Sequence, residues 1–129
     1  MIFAMEIKVG QKSKFSRSFT REDVISFGEL TGDKGIHHVQ PDNLGRIMVQ
    51  GLLTATVPTK MGGDLNFIAR DFSFHFIKPV YVGDLISCDS EITKVDKEEK
   101  VMRLRISMNG FNQNNEQVFA GQVDGIIRL

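Results

Sequence analysis

A chain of 129 residues, 41% hydrophobic and 25% charged, has the size of one globular domain, expected over residues 1–129. Such a chain buries roughly two-thirds of its unfolded surface and needs neither disulfides nor metals for a core. Sixteen basic residues balance sixteen acidic ones, so no global field draws nucleic acid or an anionic membrane, and an anionic ligand must be met by a local basic group.

Met1–Gly10 lacks the basic start and apolar run of a secretory leader, and no apolar stretch approaches the ~18 residues that span a bilayer. Thr20 to Asp33 then reads as a short helix and its exit. Thr20 is a good N-cap with Asp23 three residues on, a variant of the capping box. Val24, Phe27 and Leu30 recur at helical spacing and are expected to face the core, and Gly32 is a stop signal. Gly51 to about Met61 reads as a second helix. Leu52, Leu53, Ala55, Thr56 and Val57 leave it nearly apolar on all sides, the pattern of a buried helix. Pro58 removes one helical hydrogen bond and is expected to kink or shorten it, with Gly62-Gly63 ending it.

Four strands follow. Phe72, Phe74 and Phe76 alternate with Ser73, His75 and Ile77. A turn over Pro79–Asp84 leads to Leu85–Val95, where the single cysteine, Cys88, shares a face with Ile86 and Ile92. It reads as a small core hydrophobe rather than a nucleophile, and its solitude fits a reducing, cytoplasmic compartment. Lys97–Lys100 is a charged hairpin tip. Val101–Asn109 carries Met102, Leu104, Ile106 and Met108 on one face. Val118–Ile127 closes the chain, with Gly121 and Gly125 marking bends or close backbone approach. The alternation predicts an antiparallel meander, and with one buried helix an α+β arrangement.

Chemistry is concentrated in three places. Asp33 and His38 stand five residues apart on a Gly-containing loop, a spacing that lets a carboxylate and an imidazole converge on one water and move its proton. The plainer reading has Asp33 capping a turn and the histidines on the surface. His37 and His38 are adjacent, but no other Cys or His has a zinc-like spacing, so no metal is expected. Gly51 opens the apolar helix, where unpaired N–H groups and the absence of a side chain suit a carbonyl oxygen. Thr59 lies further along that helix. His75, among phenylalanines, reads as packed or interfacial.

Three stretches in order carry a resemblance. Ser26-Phe27-Gly28-Glu29-Leu30-Thr31-Gly32-Asp33 followed by His38 resembles the hydratase signature of MaoC-like proteins. Gly45-Arg46-Ile47 through Gln50-Gly51-Leu52-Leu53-Thr54-Ala55 resembles the family's Gly-x-Ile-x-x-His-Gly-x-Leu-x-Ala stretch. Phe74 through Asp84 resembles its Phe-x-x-Pro-Val-x-x-Gly-Asp strand and turn. The resemblance to MaoC-like (R)-specific enoyl-CoA hydratases runs from about Phe19 to the C-terminus. It implies a hotdog fold, a long antiparallel sheet wrapped around a central helix, paired as a homodimer or higher oligomer with active sites near the interface.

By that resemblance Asp33, His38 and Gly51 are the catalytic residues: the pair holds a water, and the Gly51 N–H polarises a thioester carbonyl. Thr59 matches a serine that bonds the catalytic Asp. Thr59, Gln50 and Ile36 are the candidate substrate-binding residues. The expected reaction is reversible hydration of a trans-2-enoyl thioester, carried by CoA or an acyl carrier protein, without a cofactor. Three departures stand out: the family's Asn-Pro is Gly35-Ile36 here, the histidine before the glycine is Gln50, and the segment between His38 and Gly51 is short. A hotdog thioesterase and a non-catalytic acyl-CoA-binding module are the alternatives. Arg46 and Lys78 are weak candidates for CoA phosphate contacts, ordinary surface charge being the better reading.

Overall fold

The computed structural model describes residues 7–129; Met1–Glu6, the start of the stretch read as carrying no leader, lie outside the described residues. The elements run β1 (Lys12–Ser18), α1 (Arg21–Thr31), α2 (Ile36–Val39), α3 (Gly51–Thr54), α4 (Thr59–Leu65), β2 (Ile68–Phe76), β3 (Leu85–Lys97), β4 (Val101–Phe111) and β5 (Gln117–Arg128). Among the described residues no helix is long and apolar enough to cross a membrane.

The five strands form one antiparallel sheet in the order β1-β3-β4-β5-β2. The last three strands make the expected meander, but β2 does not lie beside β3. It crosses to the far edge and pairs with β5, Phe72 opposite Val123 and Phe76 opposite Phe119. The reason lies in the link between β2 and β3. Val49 N–H donates to the Val80 carbonyl and Val82 N–H to the Ile47 carbonyl, and Met48 bridges Tyr81. That ladder carries the chain away from β2, so no tight hairpin forms. Glycines in β5 admit β2: a Cβ at Gly121 would stand 2.8 Å from the Phe74 ring and 3.0 Å from the Ser73 carbonyl.

β1 was not anticipated. Its sequence, KSKFSRS, has one large apolar residue, and it becomes a strand by pairing with β3, Phe15 opposite Cys88. Burial pushes the Cys88 thiol above its usual range, so it packs as a protonated, 1% exposed core residue.

α1 begins with the expected capping box. Thr20 Oγ1 accepts from the Asp23 N–H at 3.1 Å, and the Asp23 carboxylate accepts from the Thr20 N–H at 2.9 Å. Thr20→Ala should cost about 1 kcal/mol, read as a lower urea midpoint at unchanged slope; an unchanged midpoint would assign the end of α1 to packing alone. The buried stripe of α1 is Val24 and Gly28, not Val24, Phe27 and Leu30: Leu30 is 83% exposed. Gly28 faces inward because backbone and side chains of the following loop press on it there.

The single helix expected over Gly51–Met61 is two pieces. Pro58, lacking an N–H, caps α4, and the links Thr56 to Leu53, Val57 to Thr54 and Thr59 to Thr56 tighten the chain into a three-residue pitch between α3 and α4. Gly62 and Gly63 do not end α4, which runs to Leu65. It stops at Asn66, in the left-handed region at φ 56°, where the Asn66 and Phe67 N–H groups turn back to Gly63 and Gly62. Val57, Met61 and Leu65 pack on Met102, Leu104, Ile106, Met108 and Val123 in one core cluster. Leu52 does not join it and is 68% exposed.

Candidate active site

Two short turns bring Asp33 and His38 together. Gly32 leaves α1 in the left-handed region, at φ 82°, and the Asp33 N–H donates to Thr31 Oγ1 at 3.1 Å. The chain reverses into α2, whose single turn swings His38 inward while Ile36 and His37 stay outside. His38 Nδ1 lies 2.7 Å from the Met48 carbonyl. A carbonyl only accepts, so Nδ1 carries the proton and Nε2 of the neutral ring is an acceptor. That Nε2 faces Asp33 Oδ1 at 3.7 Å. Two acceptors at this separation do not bond each other; a water seated beside the pair, within reach of both, can donate one hydrogen to each. Its lone pairs are then free for attack.

The two groups differ in setting. The His38 side chain is 7% exposed and Asp33 49%, so the imidazole is a fixed wall and the carboxylate stands at its mouth. Asp33 and His38 share a cavity of about 210 Å³ with Val24, Gly28 and Gln50. His38 also lines a second cavity of about 270 Å³, with Gly51, Thr54 and Phe76. Among the described residues His38 thus joins the pair's cavity to that of Gly51. A Cβ at Gly51 would lie 3.1 Å from the Phe76 ring, so this aromatic packs directly on the start of α3.

The remaining candidates fall elsewhere. Thr59 is exposed, donates to the Thr56 carbonyl at 2.6 Å, and lines a third, apolar cavity of about 200 Å³ with Met61, Phe67, Phe72 and Met108. The chain by itself does not bring Thr59 to Asp33. Ile36 is 70% exposed and lines none of these three cavities. Gln50 is 1% exposed, with its amide N–H groups turned to backbone carbonyls rather than to a ligand. Arg46 is bound to Asp42 at 2.9 Å and lies 4.1 Å from the centre of the Tyr81 ring, and Lys78 pairs with Glu116. Backbone and guanidinium N–H groups of Arg46 hold the Asp42 carboxyl below its usual range, and Lys78 does the same for Glu116. Both cations thus already have carboxylate partners. His75 is exposed on β2. Sequence reasoning missed Met48, whose carbonyl sets the His38 tautomer; an ordinary apolar residue acting through its backbone leaves no sequence signal.

No family model matches the chain. In sequence it is 26% identical over 112 residues to the (R)-specific enoyl-CoA hydratase of Aeromonas caviae, covering 78% of this chain and 82% of that protein. It is 23% identical over 115 residues to the 3-hydroxybutyryl-CoA dehydratase of Methylorubrum extorquens, covering 81% of this chain and 72% of that protein. The solved structure of the A. caviae (R)-hydratase involved in PHA biosynthesis superposes with a TM-score of 0.83 at 25% identity, covering 95% of this chain and 98% of that one. The fold is the hotdog, and the relatives just named are hydratases and a dehydratase, that is, hydro-lyases.

Proposed function

We propose that this chain is an (R)-specific enoyl-CoA hydratase, a hydro-lyase adding water reversibly across a trans-2-enoyl thioester on CoA or an acyl carrier protein. The observation that carries the reading is the pair of acceptors, Asp33 Oδ1 and His38 Nε2, 3.7 Å apart with the His38 tautomer set by Met48. The likeness to two curated thioester hydro-lyases gives the pair a substrate class. Asp33 and His38 hold one water by its two hydrogens. As its oxygen bonds C3, Asp33 acts as the base and takes one of the water's protons, the other stays on the new hydroxyl, and the proton taken up by the pair is delivered to C2; the reverse sequence eliminates water. The Gly51 N–H donates to the thioester oxygen as enolate charge develops there. α3 has only four residues, so this single donor, not a helix dipole, is the contribution. In this reading Thr59 and Ile36 stay candidates for substrate contact although neither lies with the pair within one chain, no cofactor takes part, and the compartment is the cytoplasm.

The test is loss of enoyl-thioester absorbance with crotonyl-CoA, with free thiol followed in parallel. Loss of absorbance without thiol supports the hydratase; released thiol instead identifies a thioesterase, and binding without turnover identifies a binding module.

Gly51→Ala checks the oxyanion donor. The added methyl stands 3.1 Å from the Phe76 ring, a side chain that needs to shift by only a few tenths of an ångström, so the fold survives while the carbonyl site narrows. The turnover rate should fall about tenfold or more, short of the full loss of a donor because the N–H remains. A rate equal to wild type would remove Gly51 from the mechanism.

The active form in this reading is a homodimer or higher homo-oligomer. β2 is a free sheet edge, and Phe72, Phe76, Ile77 and Leu52 leave large apolar surface exposed along and beside it. A second copy on this edge would cover that surface and bring the separate cavities of the two chains close together. Sedimentation equilibrium should give at least twice the chain mass at micromolar concentration; a monomer that turns over substrate would refute it.

A further inference from the structure

Gln50 stands where the resemblance has a histidine, and its surroundings are unusual for a glutamine. It is 1% exposed, between α1, the Asp33 loop and the start of α3. Nε2 lies 2.8 Å from the Val24 carbonyl and 3.4 Å from the Asp33 carbonyl. Both are acceptors, so the amide orientation is determined: a flip would set oxygen against oxygen. Gly28 makes the approach possible. A Cβ there would lie 3.2 Å from the Asp33 carbonyl and 3.6 Å from Gln50 Nε2, which is why α1 turns Gly28 inward. With Nε2 committed, Oε1 is a buried acceptor with no donor among the described residues. Gln50 also lines the cavity of about 210 Å³ that holds Asp33 and His38.

We propose that Gln50 is the positioning residue of the catalytic loop: its Nε2 clamps the Asp33 backbone to α1, and its Oε1 holds a buried water beside Asp33 and His38. This deepens the hydratase reading and rests on it for its kinetic test. A buried acceptor without a donor is costly; Oε1 is almost closed to solvent, so seating a water on it takes a small shift of its neighbours toward the adjoining cavity. That water is distinct from the attacking one, whose two hydrogens go to Asp33 and His38. Its first hydrogen goes to Oε1, and its second is free for the Asp33 carboxylate; Glu29, the other carboxylate of the cavity lining, pairs with Lys34. Gln50 then fixes Asp33 from two sides, through backbone and through solvent. A histidine supplies the same pair of functions, a donor on one ring nitrogen and an acceptor on the other, which accounts for the exchange between the two residue types.

Two measurements test the proposal. A crystal structure of the wild-type protein at high resolution should show a water within hydrogen-bond distance of Gln50 Oε1; an empty position overturns the water half directly, whatever the enzyme acts on. Hydration of crotonyl-CoA is then compared for wild type, Gln50→Leu and Gln50→His. Gln50→Leu keeps the volume and loses both bonds, and should lower kcat about ten- to a hundredfold with KM within about twofold, because the loop is misplaced while the thioester site is intact. Gln50→His should stay within about threefold of wild type. Equal losses in both variants, or a Gln50→Leu enzyme as fast as wild type, reduce Gln50 to packing. If Gln50→Leu does not fold, the water and the Gln50→His rate still decide. A wild-type protein without turnover would reject the hydratase reading and leave the crystallographic water as the judge of this one.

Discussion

Asp33→Asn should lower the hydration rate of crotonyl-CoA about a thousandfold, within the range that a positioned acid or base contributes. The substitution changes chemistry with little change of shape. The Asp33 backbone keeps its bond to Thr31 Oγ1 and its carbonyl contact with Gln50. The side chain is half exposed and belongs to no core cluster, so the thermal midpoint should move little. A carboxamide, however, turns one acceptor into a donor and has no charge to take a proton. The water between it and His38 Nε2 then loses the second acceptor that aims its lone pairs. His38→Ala should cost a comparable factor, and the double variant little more than either alone, because the two acceptors act on one water. An Asp33→Asn enzyme retaining a tenth of the wild-type rate would show that the carboxylate is not the base. Independent, multiplying losses would show that the two residues do not share a water.

Phe119→Ala should be the most damaging core substitution, costing about 3–5 kcal/mol in a two-state urea titration. Phe119 is 0% exposed on β5, and its ring lies 4.7 Å from that of Phe74 on β2. It also fills the space opposite Gly110 on β4, where any Cβ would collide with the ring. One side chain thus ties three strands together and pins β2, which among the described strands pairs with β5 alone. Glycine at 110 means that no neighbour on β4 can collapse into the void, so most of the cavity penalty persists. Against a total stability of about 5–15 kcal/mol, the loss is a large fraction. Phe119→Leu should recover most of it. A cost below about 1 kcal/mol for Phe119→Ala would place the keystone of the sheet elsewhere.

What the amino-acid order determined was local. The period-two runs over β3, β4 and β5 each bury one face, so their alternation fixed face and strand identity without reference to the rest of the chain. The Thr20–Asp23 box and the Gly32 exit set α1 from short-range hydrogen bonds. Pro58 announced the break in the inner helix because its missing N–H is a property of the residue itself. Asp33 and His38 stood out as a pair through the resemblance; their five-residue spacing alone fits a turn cap and a surface histidine as well.

Everything that required a distant partner was decided only by the tertiary structure. β1 is too polar to signal a strand and becomes one by joining the edge of β3. β2 lies beside β5 because the Ile47–Val49 segment takes the hydrogen bonds of the β2–β3 link. Leu30 points outward because Gly28, not Leu30, meets the Asp33 loop. The His38 tautomer waits on the Met48 carbonyl and the Asp33 backbone on Gln50, contacts made by common chemical groups that any sequence contains. Thr59, placed near Asp33 by resemblance, lines a separate cavity of the single chain. Periodicity encodes which face of an element is apolar; it carries no record of which other element will cover that face.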